Sequence, residues 1–432
     1  MTESQVSGFL RGSLTAIGTR LFDLPSRYGF HLLVAAKLGV IEAGSFYIVF
    51  GTMTVLAGFG RLGLDRMLTR ELAVAQAAGR DGDVRRILGR GLRQVTLTSA
   101  AASAAMAAAA HPFSAWILHK PDLAAPLMLG ALTLLPQNLG AAAGGALSGL
   151  HRIGLSQMVY SWLPPALFCL VALAIPLDVE RALLLNAAAY GIVALIGGAL
   201  LMRTTARAGG VPGPMPALLR PGLSLFTLEL NQLCISGAPT VILGMTADSR
   251  QVGLFALAWR VSLLANVLVS SITGLVSPRF ARFHARGDQS SLSRTAAQAV
   301  GFGLGLSVLP VAAMLAVPSL LLGLVGKGFT DGEGTLRILA VGQLGAACFT
   351  AMPELLGMTG RLADLRRVNL LSLVTLLAAA VMLTPWLASD GAAIATALAI
   401  LVNGAAAAWA AHRALAITPW RTLFDDARRA VS

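Results

Sequence analysis

The stretch GGVPGPMPALLRPG, residues 209–222, cuts the chain into two halves of similar length. Three prolines precede Leu218, each lacking the amide hydrogen that a continuing helix needs, and the neighbouring glycines resist helix as well. On either side the sequence falls into apolar runs of spanning length, separated by short polar connections. Before the linker these are residues 9–36, 43–63, 87–110, 123–149, 155–176 and 181–203. After it they are residues 219–245, 252–276, 296–317, 334–358, 366–387 and 391–413. Each is long enough for a membrane helix, which needs about 20 mostly apolar residues.

Composition agrees. Hydrophobic residues make up 56% of the 432 and charged residues only 12%, where an ordinary globular domain carries about 25% charged. The sequence therefore predicts an all-α polytopic membrane protein with about twelve transmembrane helices and no room for a large soluble domain. The net charge of +13 does not imply nucleic acid, because the basic residues lie between apolar runs and gather in every second loop. That asymmetry orients short loops towards the cytoplasm and predicts that both termini are cytoplasmic, with Arg421, Arg428 and Arg429 in the tail. The first residues, MTESQVSGFLRG, lack a basic region followed by an A-x-A site, so no cleaved signal peptide is expected.

Displaced by 209 positions, the chain matches itself without a gap over some sixty residues. Leu10-Arg11 meets Leu219-Arg220, Gly44 meets Gly253, Phe46 meets Phe255, and Arg70 meets Arg279. With small gaps Gly82-Asp83 meets Gly287-Asp288, Pro112 meets Pro318, Gly149 meets Gly357, and Arg152 meets Arg361. Matches in the same order as the runs indicate a duplication. Each copy holds an even number of spans, so the repeat is parallel, about an axis along the membrane normal. The expected organisation is residues 1–208 as one six-helix lobe, 209–218 as linker, and 219–432 as the second lobe with a short basic tail.

Charge inside apolar runs marks the candidate site. Arg20, Asp23, Arg27 and His31 recur at intervals of three, four and four, which stacks them on one helix face. The repeat register sets Glu229 at the position of Arg20 and Gln232 at that of Asp23, with Asn231 alongside; Arg260 and Asn266 lie in the eighth run. Each ionised group at mid-bilayer costs about 2.5 to 3.5 kcal/mol against lipid, so these residues must face one another or a wet cavity. One reading is an ion-pair network joining Arg20, Arg27, Asp23, Glu229 and Arg260. The other is a substrate-facing surface made by Arg20, Arg27, His31, Arg260, Asn231, Gln232 and Asn266, with Asp23 and Glu229 as ion-coupling or gating acids.

Catalysis is not indicated. H-E-x-x-H, G-x-S-x-G and Walker sequences are absent. Cys169, Cys234 and Cys348 are far apart within apolar runs and form neither a disulfide framework nor a metal motif. No cofactor or metal is expected.

The exit of the second run, GFGRLGLDRMLTRELA at residues 58–73, resembles the "dLGLd…lvRela" signature of bacterial polysaccharide flippases in the multidrug, oligosaccharidyl-lipid and polysaccharide exporter superfamily. VGLFALAWRV at 252–261 resembles their "vGlYslAyRl" segment, and Ser277-Pro278-Arg279 the exit that follows it. The resemblance implies two six-helix bundles around a central cleft that opens alternately to either face of the bacterial inner membrane. It implies a polyprenyl-pyrophosphate-linked oligosaccharide as cargo, with membrane lipids and other polysaccharide-assembly membrane proteins as partners. Of the candidate residues, Arg260 alone falls on a family motif position. One departure is Ala238-Pro239 ahead of Ile242-Leu243-Gly244, where many relatives carry an acid. Two rival functions are a multidrug or cation antiporter of the same superfamily and a membrane scaffold that transports nothing.

Overall fold

The computed structural model describes residues 3–206, 215–420 and 422, and the regular structure among them is helical throughout. The linker residues 209–214 and the tail arginines Arg421, Arg428 and Arg429 lie outside the described residues, as does the side chain of Arg20. An all-helical chain follows from its solvent. Hydrocarbon offers no partner to a backbone N–H or C=O, and a helix pairs these groups within itself.

The chain forms two compact units, Met1–Gly237 and Ala238–Ser432. The first contains α1 (Glu3–Arg61), α2 (Leu64–Ala77), α3 (Asp81–Pro112), α4 (Ala124–Gly149), α5 (Ile153–Gln157), α6 (Leu163–Ala174) and α7 (Val179–Thr205), with most of α8 (Leu219–Thr246). The second contains α9 (Ser249–Ser262), α10 (Leu264–Ala285), α11 (Gln289–Ala316), α12 (Pro318–Gly323), α13 (Glu333–Cys348), α14 (Met352–Met358) and α15 (Leu362–Leu415). Among the described residues six segments are long and apolar enough to cross a membrane: Phe22–Arg61, Pro121–Gly149, Ile153–Ala174, Val179–Thr205, Gln289–Ala316 and Leu362–Leu415. The predicted third and seventh spans correspond to α3 and α8, of 32 and 28 residues. The tenth is bent by 40° between α13 and α14.

Two differences from the sequence reading have local causes. Residues 64–77, expected in a basic loop, form α2, whose Leu64, Leu68 and Leu72 are fully buried with Val84 and Ile87 of α3 and Leu147 of α4. Its apolar residues recur every fourth position, so one face is core while the arginines stay outside. The fifth span is not a uniform α-helix. A five-residue π turn at Met158–Trp162 joins α5 to α6 just before Pro164 and Pro165, whose missing amide hydrogens relax the helical ladder. Aspartates cap three helices: the side chains of Asp178, Asp248 and Asp288 accept from the amides of Arg181, Gln251 and Ser291 at 2.8, 2.9 and 3.0 Å.

The longest helices double back almost without a loop. In α1 the break is Gly39, at φ 71° and ψ 179°. Tyr47 then donates to the carbonyl of His31 at 3.1 Å across the turn. In α15 the break is Ala388, at φ 46° and ψ −123°. Ser372 donates to the carbonyl of Ala399 at 2.9 Å, and Asn403 to Asn369 at 3.1 Å. At 54 residues and about 1.5 Å per residue, α15 would otherwise be more than twice the hydrocarbon thickness. A side chain at positive φ is strained, so Ala388→Gly is expected to stabilise the protein by about 1 kcal/mol, and Gly39→Val to destabilise it by more. Unfolding midpoints of the two variants in detergent check both signs.

Candidate functional site

Two groups of charged residues in the first unit include predicted site residues. The first sits on α1. Arg27 lies 3.7 Å from Asp23 one turn before it, and the hydroxyl of Ser161, in the π turn, donates to the Asp23 carboxylate. Packing fixes this register: Phe22 lies against Trp162, tilted by 32° at 5.5 Å between ring centres, and Phe30 meets Phe168 edge-on at 4.6 Å. The Arg27 side chain remains 63% exposed. His31, on the same face one turn on, faces aromatic partners instead, with its Nδ1 3.3 Å from the hydroxyl of buried Tyr47 and its ring edge-on to Phe50. The predicted stripe is therefore divided between an acid–base pair and an aromatic cluster.

The second group lies where α8 meets the second half of α1. Glycines let the two backbones approach: an added Cβ at Gly58 would meet Leu233 at 2.2 Å, at Gly63 the carbonyl of Gly222 at 2.3 Å, and at Gly237 the carbonyl of Gly51 at 2.6 Å. This seam carries Glu229 to Arg61, whose Nη2 donates to Oε1 at 3.2 Å, while Nε of Arg66 lies 3.3 Å from Oε2. Arg61 also approaches Asp65, Nε to Oδ2, at 3.9 Å. Arg61, Glu229 and Asp65 have side chains only 9%, 12% and 8% exposed, whereas Arg66 is 54% exposed. Asp65 Oδ1 is buried without a hydrogen-bond partner among the described residues. Arg61 thus serves two acids unequally, holding Glu229 by a hydrogen bond and Asp65 by charge alone.

Asn231, two residues beyond Glu229, is buried and its Oδ1 has no hydrogen-bond partner among the described residues, while Gln232 is exposed. In the second unit Arg260 is half-buried in the last turn of α9, and Asn266 is exposed in the first turn of α10. Within the first unit, then, the structure brings together Asp23 and Arg27, with His31 one turn further on.

The expected network gave Glu229 neither of its partners. Those are Arg61 and Arg66, inside the same GFGRLGLDRMLTRELA stretch quoted for the family resemblance. An acid within an apolar run demands a cation, and the exit of the second span supplied two. Ser161 gave no comparable signal, because a lone hydroxyl in an apolar run is unremarkable in composition.

Comparison with known proteins places this architecture. A family model described as polysaccharide biosynthesis protein matches residues 14–284. The chain belongs to that family. No curated protein matches the sequence. Among solved structures, an inward-facing multidrug resistance transporter of the MATE family, in the MOP superfamily, aligns with a TM-score of 0.74 at 13% identity, covering 93% of this chain and 98% of its own. The lipid II flippase MurJ in an inward closed conformation aligns at 0.70 with 10% identity, covering 93% and 87%. A MOP superfamily transporter from Pyrococcus furiosus, described as having a binding pocket of reversed polarity, aligns at 0.66 with 15% identity, covering 95% and 96%. The family-model match and these folds bear out the resemblance drawn from residues 58–73 and 252–261. The protein has the multi-pass, two-lobed fold of MOP superfamily transporters.

Removing one member of a buried ion pair strands the other, at about 3 to 5 kcal/mol. Arg61→Ala is therefore expected to cost far more stability than Arg66→Ala, whose exposed guanidinium contributes about 1 kcal/mol or less. Folded yield and unfolding midpoint in detergent compare the two, and equal losses would refute the unequal sharing.

Proposed function

We propose that this protein is a flippase that moves a polyprenyl-pyrophosphate-linked oligosaccharide from the inner to the outer leaflet of the bacterial cytoplasmic membrane by alternating access, for synthesis of a cell-surface polysaccharide. Membership of the polysaccharide biosynthesis family supports the substrate class. The observation that carries the chemistry is Arg27, an exposed guanidinium within a membrane helix, beside an acid already engaged by Ser161. A planar guanidinium binds two phosphate oxygens at once, and in a site shielded from water that contact is stronger than at a surface.

In this reading Arg27 and Arg20 hold the pyrophosphate, and Arg260, Gln232 and Asn266 offer further polar contacts along the path of the glycan. Buried Asn231 and half-buried His31 stand behind the same path. Asp23 and Glu229 are the ion-coupling or gating acids: each sits beside a cation, and protonation would release its partner. Arg61 joins this set through Glu229. The protein works in the inner membrane with both termini in the cytoplasm, as the distribution of basic loops implies.

The MATE fold likeness supports a second reading, a multidrug or cation antiporter, in which Asp23 would bind a cation rather than position Arg27. Against it, aromatic residues for gripping cationic drugs are only 6% of the chain. Arg27→Ala is expected to abolish glycan export at unchanged protein abundance, and a deletion strain to accumulate lipid-linked oligosaccharide on the cytoplasmic side. Normal export in the variant would sink the flippase assignment. Drug hypersensitivity of the deletion strain without glycan accumulation would establish the antiporter.

A further inference from the structure

A groove in the second unit is lined by none of the residues assigned to transport. A cavity of about 430 Å³ opens between the two arms of α15 at the end where the helix both begins and finishes. Arg361, Arg367 and Arg413 line it, with Asp364, Val368 and Trp409. Three guanidinium groups against one carboxylate leave a formal charge of +2. Local contacts fix the arginines: Arg361 donates to the carbonyl of Ala414 at 3.3 Å, Arg367 lies 3.6 Å from Asp364, and the Arg413 guanidinium stands over the Trp409 ring at 5.4 Å. None of these contacts uses up a guanidinium, which carries five N–H donors.

What adjoins the charge identifies the ligand. On the first arm Leu371, Val374, Val381 and Met382 are exposed, so a continuous apolar surface runs from the basic groove along the helix. Trp409 is 62% exposed beside it, the position of a tryptophan at the level of lipid headgroups. A basic pocket, an interfacial tryptophan and an apolar track in that order match one molecule: a phospholipid with an anionic headgroup and two acyl chains. Basic pockets between membrane helices on the cytoplasmic side are suited to such headgroups. The loop containing Arg361 is one of those that the basic-residue asymmetry assigns to the cytoplasm.

We infer that the groove between the arms of α15 is a binding site for an anionic phospholipid of the cytoplasmic leaflet, held by Arg361, Arg367 and Arg413. It is independent of the cargo and of the transport residues. Occupancy clamps the two arms of α15 together at their open ends, opposite the single-residue turn at Ala388.

The test uses the full-length protein in detergent, titrated with short-chain phosphatidylglycerol, with short-chain phosphatidylcholine and with inorganic phosphate, while the unfolding midpoint is followed. Phosphatidylglycerol is expected to raise the midpoint saturably, and the other two not to. Arg367→Gln with Arg413→Gln, which spares the Arg361 bond to Ala414, is expected to weaken half-saturation by roughly tenfold or more, at about 1 kcal/mol per arginine. Arg90→Gln with Arg93→Gln, the same change in net charge elsewhere, is expected to leave it unchanged. An equal response to phosphatidylcholine or to inorganic phosphate overturns the assignment, as does equal weakening by both pairs of substitutions. Should the first pair fail to fold, Arg413→Lys decides. It keeps the charge but loses the planar fork, and unaltered half-saturation would count against the site.

Discussion

Everything in this protein follows from the absence of water around its helices. Hydrocarbon leaves a backbone amide nothing to bond with, so the chain is helical wherever it is apolar. It also leaves an ionised side chain nothing to be solvated by, so charge is tolerated only in company. Arg61 and Glu229 show the second rule at its strictest. Neither could be buried alone, and the glycines at 58, 63 and 237 that bring α8 against α1 allow them to be buried together. Helix packing and ion pairing are here one arrangement, since a side chain at Gly63 would push apart the backbones that the ion pair requires to be close.

The pairing is uneven, and that unevenness is chemically meaningful. Glu229 is gripped by two cations, while Asp65 has one distant cation and a bare oxygen. Loss of Arg61 would take a partner from both acids, whereas loss of Arg66 would leave Glu229 its hydrogen bond to Arg61.

Most of the architecture was legible in the sequence because the bilayer imposes long, crude signals. Runs of apolar residues, basic loops on one side and a gap-free internal match each survive much local variation. Helices cover the predicted runs, with the first and second joined in α1 and the eleventh and twelfth in α15. The local departures, α2 and the π turn, depend on what packs beside them: the leucines of α2 are core only because α3 and α4 are there to cover them. The site was half legible. Helical spacing placed Asp23 and Arg27 together. It missed Arg61 and Arg66 because their acid lies 168 and 163 positions away (229 − 61 and 229 − 66), beyond the reach of any local pattern.

Gly39 and Ala388 turn two pairs of helices with scarcely a residue projecting between them. Such reversals offer no strand to pair with, no loop to cleave and no flexible tip to carry a recognition sequence. At each of those two points the chain is almost featureless to an aqueous partner. A protein that met the chain at either hairpin would have to do so through the lateral, lipid-bathed faces of its helices. The site of encounter is moved from water into the plane of the membrane, where orientation is already fixed and search is confined to two dimensions.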